Sequence, residues 1–337
     1  MWARTGCDSA VLQGEDMGEP VPERSATQRR SAVLPGPVAA LGEAPLPGAL
    51  TPDRVSSPES PAATTQGVAA KAASENFPVA LRMLPRTYRR HLMAVYVFAR
   101  TADDLGDQAP AAERLRLLAE LEADVRALYG AGQPALEAVT GLKHTVVECN
   151  IPMQPFIDLI RANQQDQVIR RYETFEDLAG YCRLSANPVG RIVLYVFGCF
   201  SADRAEQSDY ICTGLQLAEH WQDVAEDLRA GRIYLPLTDM AAHGCGEHDL
   251  AAPHAAPFVR ELMAFEVRRA RSLIDTGAPL IGTLRGPARA AVAGYVAGGR
   301  AALASIQAAD YDVLATTPRP GKARTVLELA RAFARGR

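Results

Sequence analysis

The chain has 337 residues, 48% of them hydrophobic, and a formal net charge of −3. That is enough apolar material for one large domain or two ordinary ones. Without a sustained basic stripe a nucleic-acid partner is disfavoured, and the longest apolar run, residues 192–200, falls short of the ~20 needed to span a bilayer. Arg170-Arg171 and Arg268-Arg269 are short basic exceptions that read as polar helix faces.

Residues 1 to about 70 are rich in Pro, Gly, Ala, Ser and Thr and show no apolar periodicity, so disorder is expected there. No uninterrupted apolar core marks a signal peptide, and Asp8, Glu15, Asp16, Glu19 and Glu23 speak against a transit peptide. The segment reads as a dispensable tail or an over-extended start of translation. From Ser74 onward the spacing is helical. Leu115, Leu118, Leu121, Val125 and Leu128 form one stripe, and Phe156, Leu159 and Ile160 begin another. Breaks are predicted at residues 130–134, 150–152, 187–188, 229–236 and 244–257, and alternation suited to strands is nearly absent. The expectation is an all-α domain of roughly 265 residues. The Ala/Gly-rich stretch 287–308 predicts a helix that packs closely or lines a cavity.

The six cysteines, at positions 7, 149, 182, 199, 212 and 245, lack Cys-x-x-Cys spacing and read as reduced thiols of a cytosolic protein. No segment combines a strong apolar face with a basic one, which leaves at most a transient contact with a membrane surface.

Two acidic clusters carry the chemistry. Asp103, Asp104 and Asp107 precede Asp223, Glu226 and Asp227 by 120 residues. At ~100° per residue, Tyr96, Arg100, Asp103, Asp104 and Asp107 share one helical face. Gln216, Glu219, His220, Asp223 and Asp227 repeat the spacing, with Glu226 turned aside. Carboxylates crowded this way repel unless a hard cation neutralises them. Mg²⁺ suits such a site, because it takes oxygen ligands from one or two carboxylates, waters and substrate phosphates. A guanidinium at Arg100, one turn before the first cluster, can reach a phosphate with a bidentate fork.

Three strings are more specific than the aspartates: Ser74-Glu75-Asn76-Phe77-Pro78-Val79, residues 181–191 (Tyr-Cys-Arg-Leu-Ser-Ala-Asn-Pro-Val-Gly-Arg), and His220-Trp221-Gln222-Asp223. On these the chain resembles the squalene and phytoene synthases, and within them the hydroxysqualene synthases of bacterial hopanoid biosynthesis. Other branches carry Val-Ala-Gly-x-Val-Gly at the second string and Arg before the aspartate of the third. The resemblance covers about residues 74–322, leaving 323–337 as a C-terminal tail. It implies a single-domain isoprenoid synthase bundle around a central cavity, and Mg²⁺-dependent conversion of presqualene diphosphate and water to hydroxysqualene and diphosphate, a lyase reaction.

By the same resemblance Asp103, Asp107, Asp223 and Asp227 would bind metal, with Asp104 in support. Arg100, Tyr96 and Tyr172 would serve catalysis, while Ser74, Phe77, Asn187, Gln216 and Glu219 would contact substrate. Tyr195, Phe197 and Phe200 are further candidates for lining the cavity. Two departures are visible: Glu219 stands where relatives usually have Asn, and Gly299 aligns with a tyrosine near the cavity of some relatives. The implied neighbours are a presqualene diphosphate synthase and a hydroxysqualene-reducing enzyme, in the cytoplasm or peripheral at the inner membrane. Competing readings are head-to-head condensation to presqualene diphosphate, squalene or phytoene, and a non-catalytic assembly protein on the same fold.

Overall fold

The computed structural model describes residues 84–335, which fall in one compact unit and contain helices but no strand. Ser74, Phe77, Cys7 and the expected tail at 1–70 lie outside the described residues. The chain runs through α1 (Arg86–Asp107), α2 (Arg114–Tyr129), the short α3 (Glu137–Thr140) and α4 (Lys143–Cys149), then α5 (Gln154–Gln165), α6 (Phe175–Ser185) and α7 (Asn187–Val196). There follow α8 (Ala202–Gln222), α9 (Val224–Arg229), α10 (Leu237–Ala242), a 3₁₀ turn at Glu247–Ala251, α11 (Pro257–Gly277), α12 (Leu280–Thr283), α13 (Gly286–Ala308) and α14 (Lys322–Arg335).

Local chemistry sets most boundaries. Thr174 opens α6 with a capping box, its hydroxyl accepting from the Asp177 amide while the Asp177 carboxylate accepts from the Thr174 amide. Ser201 caps α8 by accepting from the Arg204 amide. Asn150, at φ 52°, ends α4 in the left-handed conformation that asparagine tolerates. Four of the five predicted breaks coincide with interruptions between helices, while Asn187-Pro188 opens α7 directly after the interruption at Ala186.

Two hydrophobic cores result. One gathers Leu92, Phe98, Leu118, Leu121, Val125, Phe156 and Ile160 from α1, α2 and α5. The other gathers Leu217, Trp221, Leu262, Ile274, Val296 and Leu303 from α8, α11 and α13. Phe197 packs against both. Of the predicted α2 stripe, Leu118, Leu121 and Val125 are buried and Leu115 is exposed, since it sits in the first turn before the helix meets its neighbours.

Helices α8, α11 and α13 approach closely because glycines stand at their crossings. A Cβ on Gly214 would lie 2.6 Å from Ile274 Cγ1, and one on Gly299 would lie 2.5 Å from Leu215 Cδ2 and 2.8 Å from Ile274 Cδ1. Gly299 therefore packs and leaves no room at that point. Gly294 and Gly298, on the same helix, have open space where their side chains would be. The close packing expected for 287–308 thus holds at Gly299.

Three readings are corrected. The second acidic cluster is not on one helix, because α8 ends at Gln222 and Asp223 caps it with φ −105° and ψ 15° before α9 begins. Arg269 is not a plain polar face: its guanidinium joins the buried Glu266 to Asp239. And α14 does combine apolar and basic residues, with Val326 and Leu327 exposed alongside Arg331.

Candidate active site

The first acidic cluster closes α1. Asp103 is exposed to solvent. Asn163 of α5 donates to its Oδ1 at 3.2 Å, and Gln167 donates to the Gly106 carbonyl at 3.1 Å, tying α5 to the end of α1. Burial pushes the Asp103 carboxyl up to about 6, against the pull of Asn163 and Arg100 and with a further push from Asp107 and Asp104. Asp104 holds Arg100 at 2.6 Å, one turn earlier on the same helix. Tyr96, a turn before Arg100, is half-buried.

The second cluster straddles the α8–α9 junction. Burial raises Asp223 to about 6, and Glu226 and Glu219 add to the push while Arg319 opposes it. Glu226, expected to turn aside, therefore acts on Asp223 more strongly than Glu219 does, because the break in the helix re-aims α9. Glu219 is exposed. Asp223 Oδ1 is buried without a hydrogen-bond donor, and its nearest cation is Arg319 at 4.0 Å. Gln222, where the resemblance would place an arginine, is buried and donates its amide to the Pro318 carbonyl, which also accepts from Ser305 Oγ at 3.1 Å. Positive charge thus reaches Asp223 from the segment after α13 instead of from position 222.

Three residues form a polar line beside this junction. The Gln216 amide lies 3.1 Å from His220 Nε2, and His220 Nδ1 lies 3.7 Å from Asp227 Oδ2. If the amide donates to Nε2, the ring proton sits on Nδ1 and faces Asp227. The His220 ring stacks on Tyr234 at 3.7 Å and 15°.

Arg232 joins the two clusters. Its backbone amide donates to the Asp227 carbonyl at 2.8 Å, while its guanidinium donates to Asp107 Oδ1 at 2.7 Å and lies 3.9 Å from Asp166 Oδ2. Asp166, at the end of α5, accepts from Tyr181 at 2.7 Å and from Tyr234 at 3.3 Å. Burial raises its carboxyl in spite of these donors and of Arg232.

Tyr172 is buried in the same aromatic group, its hydroxyl accepting from Gln165 at 3.3 Å and its ring 5.8 Å from Tyr234. Asn187 is buried at the start of α7, where its carbonyl oxygen accepts from Thr213 at 3.0 Å. Of the aromatic candidates, Tyr195 stacks on the exposed Phe200 and Phe197 contacts Tyr88.

The structure therefore brings Asp107 and Asp227 to one locality through Arg232, with Asp103 and Asp223 on its flanking elements. It sets Asn187 in a buried pair with Thr213. Sequence spacing missed Asn163, Asp166, Tyr181, Arg232, Tyr234 and Arg319. Only Tyr181 lay in a string already singled out.

The donors fit a hard divalent cation in chemistry, since all are carboxylate oxygens and the buried Asp223 Oδ1 has no donor of its own. Among the described residues no group of three or more His, Cys, Asp or Glu could hold a metal ion unaided. The remaining ligands would have to come from outside the protein.

A family model described as squalene/phytoene synthase matches residues 70–328. A hydroxysqualene synthase from Rhodopseudomonas palustris is 36% identical over 214 residues, covering 63% of this chain and 72% of its own. A phytoene synthase from Arthrospira platensis is 33% identical, covering 71% and 82%. Among solved structures, the squalene synthase HpnC from Alicyclobacillus acidocaldarius superposes with a TM-score of 0.68 at 40% identity, over 73% of this chain and 94% of that one. A dehydrosqualene synthase shares the fold at a TM-score of 0.71 and 23% identity. With the matched region spanning both acidic clusters and every helix that carries them, the chain belongs to the squalene/phytoene synthase family of all-α isoprenoid enzymes.

Proposed function

We propose that this protein converts presqualene diphosphate and water to hydroxysqualene and diphosphate, with Mg²⁺ as its cation. The observation that carries the reading is the pair of carboxylates raised to about 6, Asp103 and Asp223, on two elements that Arg232 ties together. Unlike the buried Glu266, which has Arg269 at 3.1 Å, Asp103 has only one amide donor and Asp223 Oδ1 has none, so both suit a cationic ligand. The similarity to hydroxysqualene synthases and the Ser-Ala-Asn-Pro and Gln222-Asp223 strings support the choice of reaction within the family.

In this reading Asp103, Asp107, Asp223 and Asp227 hold Mg²⁺, which when bound offsets charge on the departing diphosphate. Arg100 and Arg232 add fixed positive charge that needs no reorganisation during the reaction. Tyr172, Tyr181 and Tyr234 form a buried aromatic group that, through the hydroxyls of Tyr181 and Tyr234, holds Asp166 beside Arg232. Tyr96, Gln216 and Glu219 border the acidic clusters on their own helices. The reaction takes a lipid substrate made by a condensing prenyltransferase and yields an alcohol for a reductive step.

Supplying purified presqualene diphosphate and Mg²⁺, with and without NADPH, tests the reading. Hydroxysqualene should form in both cases and nothing should form from farnesyl diphosphate alone. Squalene appearing only with NADPH, or condensation of farnesyl diphosphate, would move the protein to the condensing branch. Absence of both diphosphate and Mg²⁺ binding in calorimetry would leave an assembly protein.

A further inference from the structure

Each carboxylate assigned to the cation has one group beside it from another element. Asn163 donates to Asp103 at 3.2 Å, Arg232 donates to Asp107 at 2.7 Å, and Arg319 stands 4.0 Å from Asp223. At Asp227 that place is taken by the buried imidazole of His220, whose Nδ1 lies 3.7 Å from Oδ2. Among the described residues no other side chain pairs with the Asp227 carboxylate.

The ring is held both at its edge and on its face. Gln216, one turn earlier on α8, presents its amide 3.1 Å from Nε2. With Nε2 accepting, the proton of a neutral imidazole sits on Nδ1, toward Asp227. Tyr234 stacks on the ring at 3.7 Å and 15°, and its own hydroxyl donates to Asp166 at 3.3 Å. The recess beside the ring, bounded by Trp221, Val224 and Leu250, has a volume of about 10 Å³, too little for the imidazole to swing away. The Asp227 backbone is fixed as well, its amide donating to the Asp223 carbonyl at 2.8 Å and its carbonyl accepting from Arg232 at 2.8 Å. Only the rotation of the carboxylate is left to be set, and the Nδ1 proton faces one of its two oxygens.

We infer that His220 is a positioning residue: its Nδ1 proton holds Oδ2 of Asp227 and so turns Oδ1 toward the cation, as hydrogen bonds to ligating carboxylates do elsewhere. The inference rests on the assignment of Asp227 as a ligand in the proposed function. Its test is calorimetric titration of the full chain with Mg²⁺ in the presence of inorganic diphosphate, against a protein-free blank. His220→Phe keeps a ring for Tyr234 and removes the N–H, so Mg²⁺ should bind about tenfold more weakly with circular dichroism unchanged. His220→Asn, whose amide nitrogen takes the place of Nδ1, should bind within about threefold of wild type. In ¹⁵N–¹H correlation spectra of the wild-type chain without metal, the His220 ring, identified as the signal both variants lack, should carry its proton on Nδ1. Binding that His220→Phe leaves unchanged, equal losses in both variants, or a ring proton on Nε2 would overturn this inference and leave the proposed function standing. A wild-type chain that binds no Mg²⁺ would overturn both. Should His220→Phe fail to fold, near wild-type binding by His220→Asn together with a proton on Nδ1 supports the inference, and any other result counts against it.

Discussion

Two acidic regions of this molecule differ in how their charge is met. On α11, Glu266 is fully buried, yet Arg269 reaches it at 3.1 Å and Asp239 at 2.7 Å while stacking on Phe175 and Phe265. In the α1 and α8–α9 clusters Asp104 and Asp107 each hold an arginine, but Asp103 and Asp223 have far less. Asp103 has one amide donor, and Asp223 has a cation only at 4.0 Å and a buried oxygen with none. The first region is closed on itself and serves the fold. At Asp103 and Asp223 the second is short of positive charge, which in the proposed reading it takes from outside.

The sharpest way to break the comparison is to remove charge from each region in turn. Asp103→Asn or Asp227→Asn should lower turnover by roughly a thousandfold. Their melting temperatures should hold, or rise above pH 6 for Asp103→Asn. The sign follows from the raised carboxyl: the folded state favours its protonated form, a contribution lost as pH climbs through about 6. Activity and thermal melting on the same preparations check this, and an unfolded variant contradicts it.

Arg269→Ala should do the opposite, costing about 2–4 kcal/mol of stability because Glu266 and Asp239 lose their shared cation. Turnover per folded molecule should stay near the parent value. Denaturant titration beside an active-site count separates the two effects.

The third expectation concerns pH. Since metal ligands must be deprotonated, the Mg²⁺ concentration for half-maximal activity should climb as pH falls below about 6, by up to roughly tenfold per unit. A requirement that does not change between pH 5 and pH 8 would show that these carboxylates are not ligands. In the closed region, burial raises Glu266 to about 8, so its contribution to stability is complete below the ordinary carboxylate range and is lost as pH rises through 8. Glu266→Gln should flatten that decline in denaturant titrations at pH 6 and pH 9.

The smallest effect is expected at Glu219. Its carboxylate is exposed and pushes Asp223 upward, so Glu219→Asn should change the Mg²⁺ requirement by about two- to fivefold. A higher requirement with lower turnover means that Glu219 ligates metal. Better apparent substrate affinity means that it only repels diphosphate. Superimposable curves mean that it points away.

Helices and their breaks were legible in the sequence because glycine, proline and asparagine punctuate a strong 3.6-residue pattern. The α1 cluster was legible for the same reason: Arg100, Asp103, Asp104 and Asp107 lie on one unbroken helix, and Arg100 meets Asp104 at 2.6 Å as the spacing requires. The second cluster was not, since no glycine or proline marks the break at Asp223 and helical arithmetic carried straight through it. Partners brought from afar left no local signal. Arg232 reaches Asp107 across 125 positions, and Asn163 reaches Asp103 across 60. Gly299 shows a further limit, because space around a glycine depends on Leu215 and Ile274 from two other helices.

The ion pair between Arg232 and Asp107 gives the site the character of an ion exchanger. In the proposed reading, a cation that takes Asp107 Oδ1 competes with the guanidinium already there, so its apparent affinity through that oxygen is reduced by the cost of parting the pair. The displaced guanidinium does not leave. It stays tethered beside Asp166 and next to the newly bound charge, where an incoming diphosphate offers it a replacement anion. On the proposed function, cation and diphosphate would be coupled through one side chain, each making room for the other.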